Sequence, residues 1–156
     1  MENSNDQHQL LEVAEIQLSY KSNVKPSMRP RISTSRDVRN VFMNSWDLSR
    51  LELQEQFKVL FVNRANRVLG IFELSSGGTA GTVADPKLIF IAALRVGAHG
   101  ILMAHNHPSG NLQPSQSDID LTRKVKEAGK LLDIQLMDHL ILTVEGYYSF
   151  SDEGLI

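Results

Sequence analysis

Residues 82–110 read TVADPKLIFIAALRVGAHGILMAHNHPSG, and this stretch decides the fold that the sequence predicts. Asp85 and Pro86 are typical of a helix start, because proline fits the first helical position. The helix should run through Leu94 and end at the glycines beyond it. The apolar run 101–104 then predicts a short buried strand. A helix that leads into a buried strand favours a sheet layered with helices.

The segments on either side extend this pattern. Upstream, Ser35 is predicted to cap a helix, and the apolar runs 57–62 and 68–74 predict two strands joined by a short turn. Downstream, a helix is predicted over 115–132, followed by a last pair of strands. That pair spans 134–144 and 147–150. The helix that follows Ser35 is predicted to have an apolar face of Val38, Val41, Phe42 and Trp46. The helix over 115–132 is predicted to have an apolar face of Leu121, Val125, Ala128 and Leu132. The pattern as a whole predicts an α/β or α+β domain.

Residues 1–34 form a polar and basic segment in front of this domain, which is predicted to span 35–156. Residues 1–9 are polar and are expected to fray. Residues 11–20 alternate loosely in polarity and could form a strand. Residues 21–34 carry two prolines and several serines without periodicity, which predicts an extended connector.

The chain contains no cysteine among its 156 residues. This excludes disulfide scaffolds, cysteine-based zinc fingers, iron–sulfur clusters, thiol nucleophiles and the His/Cys/Cys zinc site of nucleobase deaminases. Any transition metal must therefore bind nitrogen and oxygen ligands, drawn from 5 histidines and 18 carboxylates. The formal net charge of −2 gives no overall attraction to nucleic acid or to a membrane.

The sequence shows no signal peptide and no membrane-spanning segment. The first residues, MENSNDQHQ, lack the basic start and apolar run of a signal peptide. No stretch approaches the roughly 18 apolar residues of a membrane span. A cytoplasmic location is the expectation.

The chemistry concentrates in HNHPSGNLQPSQSD, residues 105–118. His105 and His107 follow an apolar strand, and alternate side chains of an extended backbone point the same way. Asp118 lies in the first turn of the next helix, from which its carboxylate can face the histidines. Two histidines and one aspartate form a three-ligand zinc set with a fourth position open to water, as in catalytic sites.

A purely structural interpretation stays open on spacing alone. Ser115 and Asp118 also match a capping box, which helix stability would explain without a metal. Paired histidines occur in ordinary loops, so spacing alone does not distinguish metal binding from a structural role. His8 and His99 are expected to be surface or capping residues, and His139 a half-buried histidine that is hydrogen-bonded rather than a ligand.

Residues 105–118 resemble the JAMM (MPN+) metalloprotease motif, H-x-H-P-x6-S-x-x-D, at every specified position. HNHPSG followed by P-S-x-x-D is similar to the RadC-type branch of that superfamily. The flanking segments 66–78, 82–110 and 121–142 resemble the same branch. The resemblance implies a mixed central sheet flanked by helices, the JAB/MPN, cytidine deaminase-like layered architecture. Gly78 departs from the family's usual threonine.

Site residues follow from the resemblance by position. His105, His107 and Asp118 would bind Zn²⁺. Glu73 matches the upstream glutamate that serves as general base, and Ser115 would donate a hydrogen bond to the developing oxyanion. Without the resemblance, Glu73 is a solvent-facing strand carboxylate like others among the 18 acids.

The implied function is a zinc-dependent metallohydrolase that cleaves a peptide or isopeptide bond of a protein substrate with zinc-activated water. The alternative is a DNA- or protein-binding module associated with DNA repair, with a zinc site and little or no catalysis. Longer RadC-type proteins carry an N-terminal helix-hairpin-helix module, and the segment before residue 36 is too short to hold one. This weakens the expectation of a DNA-related role.

One basic segment, residues 21–39, keeps nucleic acid in consideration. It carries six cations against the single acid Asp37. A solvated connector is the preferred interpretation, and phosphate contact by a flexible arm is the alternative. The segment could equally dock an acidic partner. The cations are Lys21, Lys25, Arg29, Arg31, Arg36 and Arg39.

Overall fold

The computed structural model describes residues 12–77 and 83–156. Five strands form a single sheet, and three α-helices cover it. The strands are β1 (Gln56–Val62), β2 (Val68–Ser76), β3 (Gly100–Asn106), β4 (Gln135–Leu142) and β5 (Tyr147–Ser149). The helices are α1 (Ser35–Ser45), α2 (Pro86–Arg95) and α3 (Gln116–Leu131), with single 3₁₀ turns at Pro26–Met28 and Leu48–Arg50.

The sheet is mixed, which confirms the expected architecture. Its strand order is β2-β1-β3-β4-β5. The β3–β4 pair is parallel, and the other three pairs are antiparallel. Every residue of β1 and β3 is buried, because these central strands are covered on both faces. Their continuous apolar runs in the sequence reflect this double coverage.

The two faces of the sheet carry separate hydrophobic clusters. On the first face, Phe57 and Met103 pack with residues of α2 and α3, including Phe90 and Val125. On the second face, α1 and the segments that flank it cover the alternate residues of the same strands. The buried members there are Ile32, Val38, Phe42, Trp46, Leu51, Leu60, Val62, Leu102, Ala104, Leu140 and Leu142.

The helix starts largely follow the sequence pattern. Pro86 is the first residue of α2, and Asp85 caps it as predicted. At α1 the predicted cap was wrong by one residue, since Thr34 rather than Ser35 is the N-cap. Thr34 forms a capping box with Asp37, in which each side chain accepts the other residue's backbone N–H. These two reciprocal hydrogen bonds fix the residue at which the helix begins, which one serine side chain alone could not do.

The N-terminal segment differs from its prediction. Residues 12–20 form no strand, and their apolar side chains are exposed, with Val13 88% accessible. The alternation there lacks a partner strand to pair with. The connector is held in place, because Ile32 donates to Asn66 O and Val68 donates to Pro30 O, both at 2.9 Å.

Some predictions lie outside the described residues, namely those on residues 1–9, His8 and Gly78. In residues 12–77 and 83–156, no helix has the length and apolar content needed to cross a membrane.

The predicted apolar face of α3 is wrong at its last member. Leu132 is 43% exposed, because α3 ends at Leu131 and the chain turns back toward β4. The turn is close: Gly129 O accepts the backbone N–H of Ile134 at 2.9 Å. A Cβ on Gly129 would lie 2.2 Å from Ile134 O, a distance that no real contact tolerates. Only glycine allows the chain to reverse there.

We therefore expect Gly129→Ala to lower the free energy of unfolding, measured by urea denaturation, by about 2 kcal/mol or more. Helix propensity alone predicts the opposite, a gain of about 1 kcal/mol. Gly70→Ala is the control, since a Cβ there meets nothing within 4 Å. A stabilised Gly129→Ala protein would contradict the close approach.

Candidate metal centre

The candidate site begins where β3 ends. His105 is fully buried on the first face of the sheet, and its ring lies parallel to that of Phe57, with centroids 5.6 Å apart. His107 follows just beyond the strand and donates its backbone N–H to Leu142 O at 3.0 Å. Because the chain is extended, the two imidazoles lie on one side, with ring centroids 4.8 Å apart.

Asp118 completes the group from the first turn of α3. Its Oδ1 lies 3.3 Å from His105 Nε2, and its Oδ2 lies 3.6 Å from His107 Nε2. The two Nε2 atoms are 3.0 Å apart. The three side chains each offer one ligand atom within 4.8 Å of the others, and no second such group occurs in residues 12–77 and 83–156. The predicted ligand set converges.

The capping box is also present, so both interpretations of this loop hold together. Ser115 Oγ accepts the N–H of Asp118 at 3.1 Å, and Asp118 Oδ2 accepts the N–H of Ser115 at 2.8 Å. Ser115 Oγ also lies 2.9 Å from Ser117 Oγ. The same box that starts α3 thus orients the carboxylate toward the histidines.

The electrostatics of the group suit a cation. Burial acts to raise the pKa of Asp118, but hydrogen bonds from His105 and His107 outweigh it and hold that pKa far below its usual range. The hydrogen bond to Asp118 raises the pKa of His107. His107 Nδ1 contacts Asn111 O at 2.5 Å, and a carbonyl only accepts, so Nδ1 carries the proton. With the proton on Nδ1, the neutral form of His107 has its lone pair on Nε2, the atom that faces His105 and Asp118.

The structure does not bring Glu73 to this group. Glu73 pairs across β1–β2 with Lys58, whereas His105 pairs across β1–β3 with Phe57. Adjacent strand residues face opposite sides, so Glu73 lies on the second face of the sheet. Its carboxylate accepts a hydrogen bond from Ser76 at 2.7 Å. The sequence pattern could not predict the position of Glu73, because it does not reveal which side of the sheet each strand residue faces.

A different glutamate, Glu55, lies within the electrostatic field of the group. Burial raises the pKa of its carboxyl, and the charges of His105, His107 and Asp118 act on it. Glu55 directly precedes β1, whose second residue pairs with His105. The sequence feature that could have identified Glu55 is a carboxylate directly before a continuously apolar strand.

Asn106, the residue between the two histidines, holds the segment that carries Glu55. It is fully buried on the second face. Its amide donates to Leu51 O at 2.8 Å and to Gln54 O at 2.9 Å, and its Oδ1 accepts the N–H of Gln56 at 2.8 Å. These three bonds fix the backbone on both sides of Glu55 relative to β3.

Behind His105 lies a buried polar pair. His105 Nδ1 is 2.8 Å from His139 Nε2, and His139 Nδ1 is 2.7 Å from Thr122 Oγ1. His139 is hydrogen-bonded and not a member of the ligand group, as expected, although it is fully rather than half buried. Burial lowers the pKa of His139 well below its usual value. His99 is exposed, in agreement with a surface role.

A cavity of about 300 Å³ adjoins the group at His107. The residues that line it include Glu52, Pro108, Thr143 and Glu145. Its volume matches the lower end of small-ligand sites.

Comparison with known proteins agrees with this geometry. A family model for the RadC-like JAB domain matches residues 32–155. The chain belongs to the RadC-like JAB domain family. The expected RadC-type resemblance is thereby confirmed over most of the chain.

Its relatives include three bacterial proteins, each named UPF0758 protein. The protein from Flavobacterium johnsoniae is 52% identical over 101 residues, which are 65% of this chain and 44% of the relative. The protein from Porphyromonas gingivalis is 45% identical over 104 residues, 66% of this chain and 46% of the relative. The protein from Clostridium botulinum is 36% identical over 148 residues, 95% of this chain and 63% of the relative. The RadC-like JAB chain thus spans about half to two thirds of these relatives.

Proposed function

We propose that this chain is a zinc-dependent hydrolase that cleaves a peptide or isopeptide bond. The observation that carries the proposal is the convergence of His105, His107 and Asp118, whose charges act on Glu55, a carboxyl with a raised pKa. Membership of the RadC-like JAB family supports the same chemistry.

The ligand set suits zinc. Two imidazole nitrogens and one carboxylate oxygen are common zinc ligands, and three protein ligands leave a fourth position for water or substrate. Imidazole-rich sites without thiolates also disfavour Mg²⁺ and Ca²⁺, which prefer oxygen. When bound, zinc supplies an acidified water molecule and polarises a substrate carbonyl.

Glu55 and Ser115 would perform the remaining steps. Glu55, half-buried and with a raised pKa, can take a proton from the attacking water and pass it to the leaving amine. Ser115 Oγ accepts in the capping box, and Ser117 can supply the proton of their 2.9 Å contact, so the hydroxyl proton of Ser115 can be donated to a developing oxyanion. Glu73 has no part in this assignment, because it lies on the other face of the sheet.

The proposal predicts about one zinc ion per chain, measured by elemental analysis after incubation with zinc and desalting. Asp118→Asn should lose this zinc, because an amide is a far weaker ligand than a carboxylate, while its oxygen can still accept in the capping box. Asp120→Asn is the matched control, an exposed aspartate two residues further along α3. Zinc-free wild-type protein, or zinc retained by Asp118→Asn, would contradict the ligand set.

Glu55→Gln should keep its zinc and lose at least about 100-fold in kcat, because it cannot take up a proton. The assay is cleavage of a quenched-fluorescence library that contains both peptide and lysine isopeptide bonds. Glu73→Gln, the control on the other face, should keep full activity. Equal activity of Glu55→Gln and wild type would remove Glu55 as the base. A zinc-loaded wild-type protein that cleaves nothing would favour the non-catalytic binding module.

A second candidate function, phosphate contact with DNA, is supported by one specific observation. Arg31 and Arg67 lie opposite each other in an antiparallel bridge, where like charges repel. Arg64 lies on the adjoining turn, and none of these three arginines forms an ion pair within residues 12–77 and 83–156. A DNA phosphate would relieve this repulsion. The basic segment is thus proposed to act as a fixed surface rather than a flexible arm.

The test is fluorescence anisotropy with a labelled 30-base-pair duplex across a salt series. The double variant Arg31→Gln/Arg64→Gln should bind more weakly and lower the salt-dependence slope by about 2, one for each lost phosphate contact. Arg123→Gln/Lys124→Gln on α3 is the charge-matched control. Identical slopes for all three proteins, or no binding at low salt, would rule out this surface.

A further inference from the structure

A buried chain of hydrogen bonds connects the metal-facing imidazole of His105 with the backbone of α3. It runs from His105 Nδ1 to His139 Nε2 at 2.8 Å and from His139 Nδ1 to Thr122 Oγ1 at 2.7 Å. Thr122 Oγ1 then contacts the carbonyl oxygen of Asp118 at 2.6 Å. This series of hydrogen bonds therefore begins at the side chain of one candidate ligand, His105, and ends at the backbone of another, Asp118.

His139, the middle member of this series, is fully buried, and this restricts its protonation state. The ring of His139 stacks on Phe150, with centroids 4.7 Å apart, and lies 5.5 Å from Phe57. An unpaired imidazolium is costly in such surroundings, so His139 is neutral and has one N–H and one lone pair. Thr122 has a single hydroxyl proton for two contacts. The hydrogen bonds must therefore all run in one direction.

One direction satisfies the distances. The carbonyl oxygen of Asp118 only accepts, so Thr122 donates its single hydroxyl proton to that oxygen. Thr122 Oγ1 therefore accepts from His139 Nδ1–H, and His139 Nε2 accepts from His105 Nδ1–H. This outward polarity leaves a lone pair on His105 Nε2, the atom that faces His107 and Asp118.

We propose that Thr122 and His139 are positioning residues that hold His105 in the Nδ1–H tautomer, with its Nε2 lone pair directed at the metal position. The Asp118 carbonyl fixes the direction of the hydrogen bonds, because it accepts the Thr122 proton. His105 can then present its lone pair without leaving its stacked position. Hydrogen-bonded partners of this kind set the tautomer of metal-binding histidines.

The inference rests on the proposed zinc site, and the first measurement separates the two. Histidine ¹⁵N–¹H correlation spectra of the wild-type chain distinguish Nδ1–H from Nε2–H tautomers, with and without one equivalent of zinc. In the zinc-loaded protein, His105 and His139 should both be Nδ1–H. A His139 that is Nε2–H in the zinc-loaded protein would overturn the proposal.

The second measurement is zinc affinity, determined by competition with a chromogenic chelator. Thr122→Val keeps the shape of the side chain and removes the final acceptor, so zinc affinity should fall about 10- to 100-fold. Thr122→Ser restores the hydroxyl and should restore affinity. The Thr122→Val protein should also lose the Nδ1–H signal of His139, which a purely structural role of Thr122 would leave in place.

The outcomes distinguish the two claims. If wild-type protein binds no zinc, the proposed function fails and the positioning role fails with it. If wild type and Thr122→Val bind zinc with equal affinity, the zinc site stands and the positioning role is wrong. Loss of affinity in Thr122→Val that Thr122→Ser restores, together with Nδ1–H at His139, supports the positioning role.

Discussion

The antiparallel pairing of β1 with β3 is the constraint on which the rest of this structure depends. It sets Phe57 opposite His105 and thereby fixes which side chains of both strands face α3. Both strands are buried along their whole length, so a shift of one residue would move every side chain to the wrong face. The hydrophobic core therefore fixes the position of the polar site.

The alternation at the end of β3 gives consecutive residues different tasks. His105 faces α3 and the candidate ligand group, while Asn106 faces the opposite side and binds the backbone around Glu55. One strand end thus positions both the candidate ligands and the candidate base. A pleated strand can do this because its side-chain directions are fixed by the ladder, which a loop cannot provide.

The sequence predicted those features that depend on local pattern. The continuous apolar runs, the Asp85-Pro86 helix start and the His105–Asp118 spacing each have a signature within a few residues, and all appear in the fold. Features that depend on pairing were missed. Glu73 lies on the second face of the sheet, whereas Glu55 precedes β1 near the candidate ligands. Only the pairing register of β1 with its two neighbours distinguishes these positions. Residues 12–20 have strand-like alternation, but no sheet edge pairs with them. Thr122 and His139 are far apart in the chain, so spacing gave no hint of their contact.

Asp118 has two carboxylate oxygens with separate partners. Oδ2 accepts the Ser115 N–H of the capping box, and Oδ1 lies nearer His105. Natural selection can therefore retain this aspartate for helix stability even in a descendant that has lost its metal. A search for inactive members of the family should accordingly give little weight to the aspartate. Glu55, which takes no part in the capping of α3, is the position where loss of chemistry would first be visible.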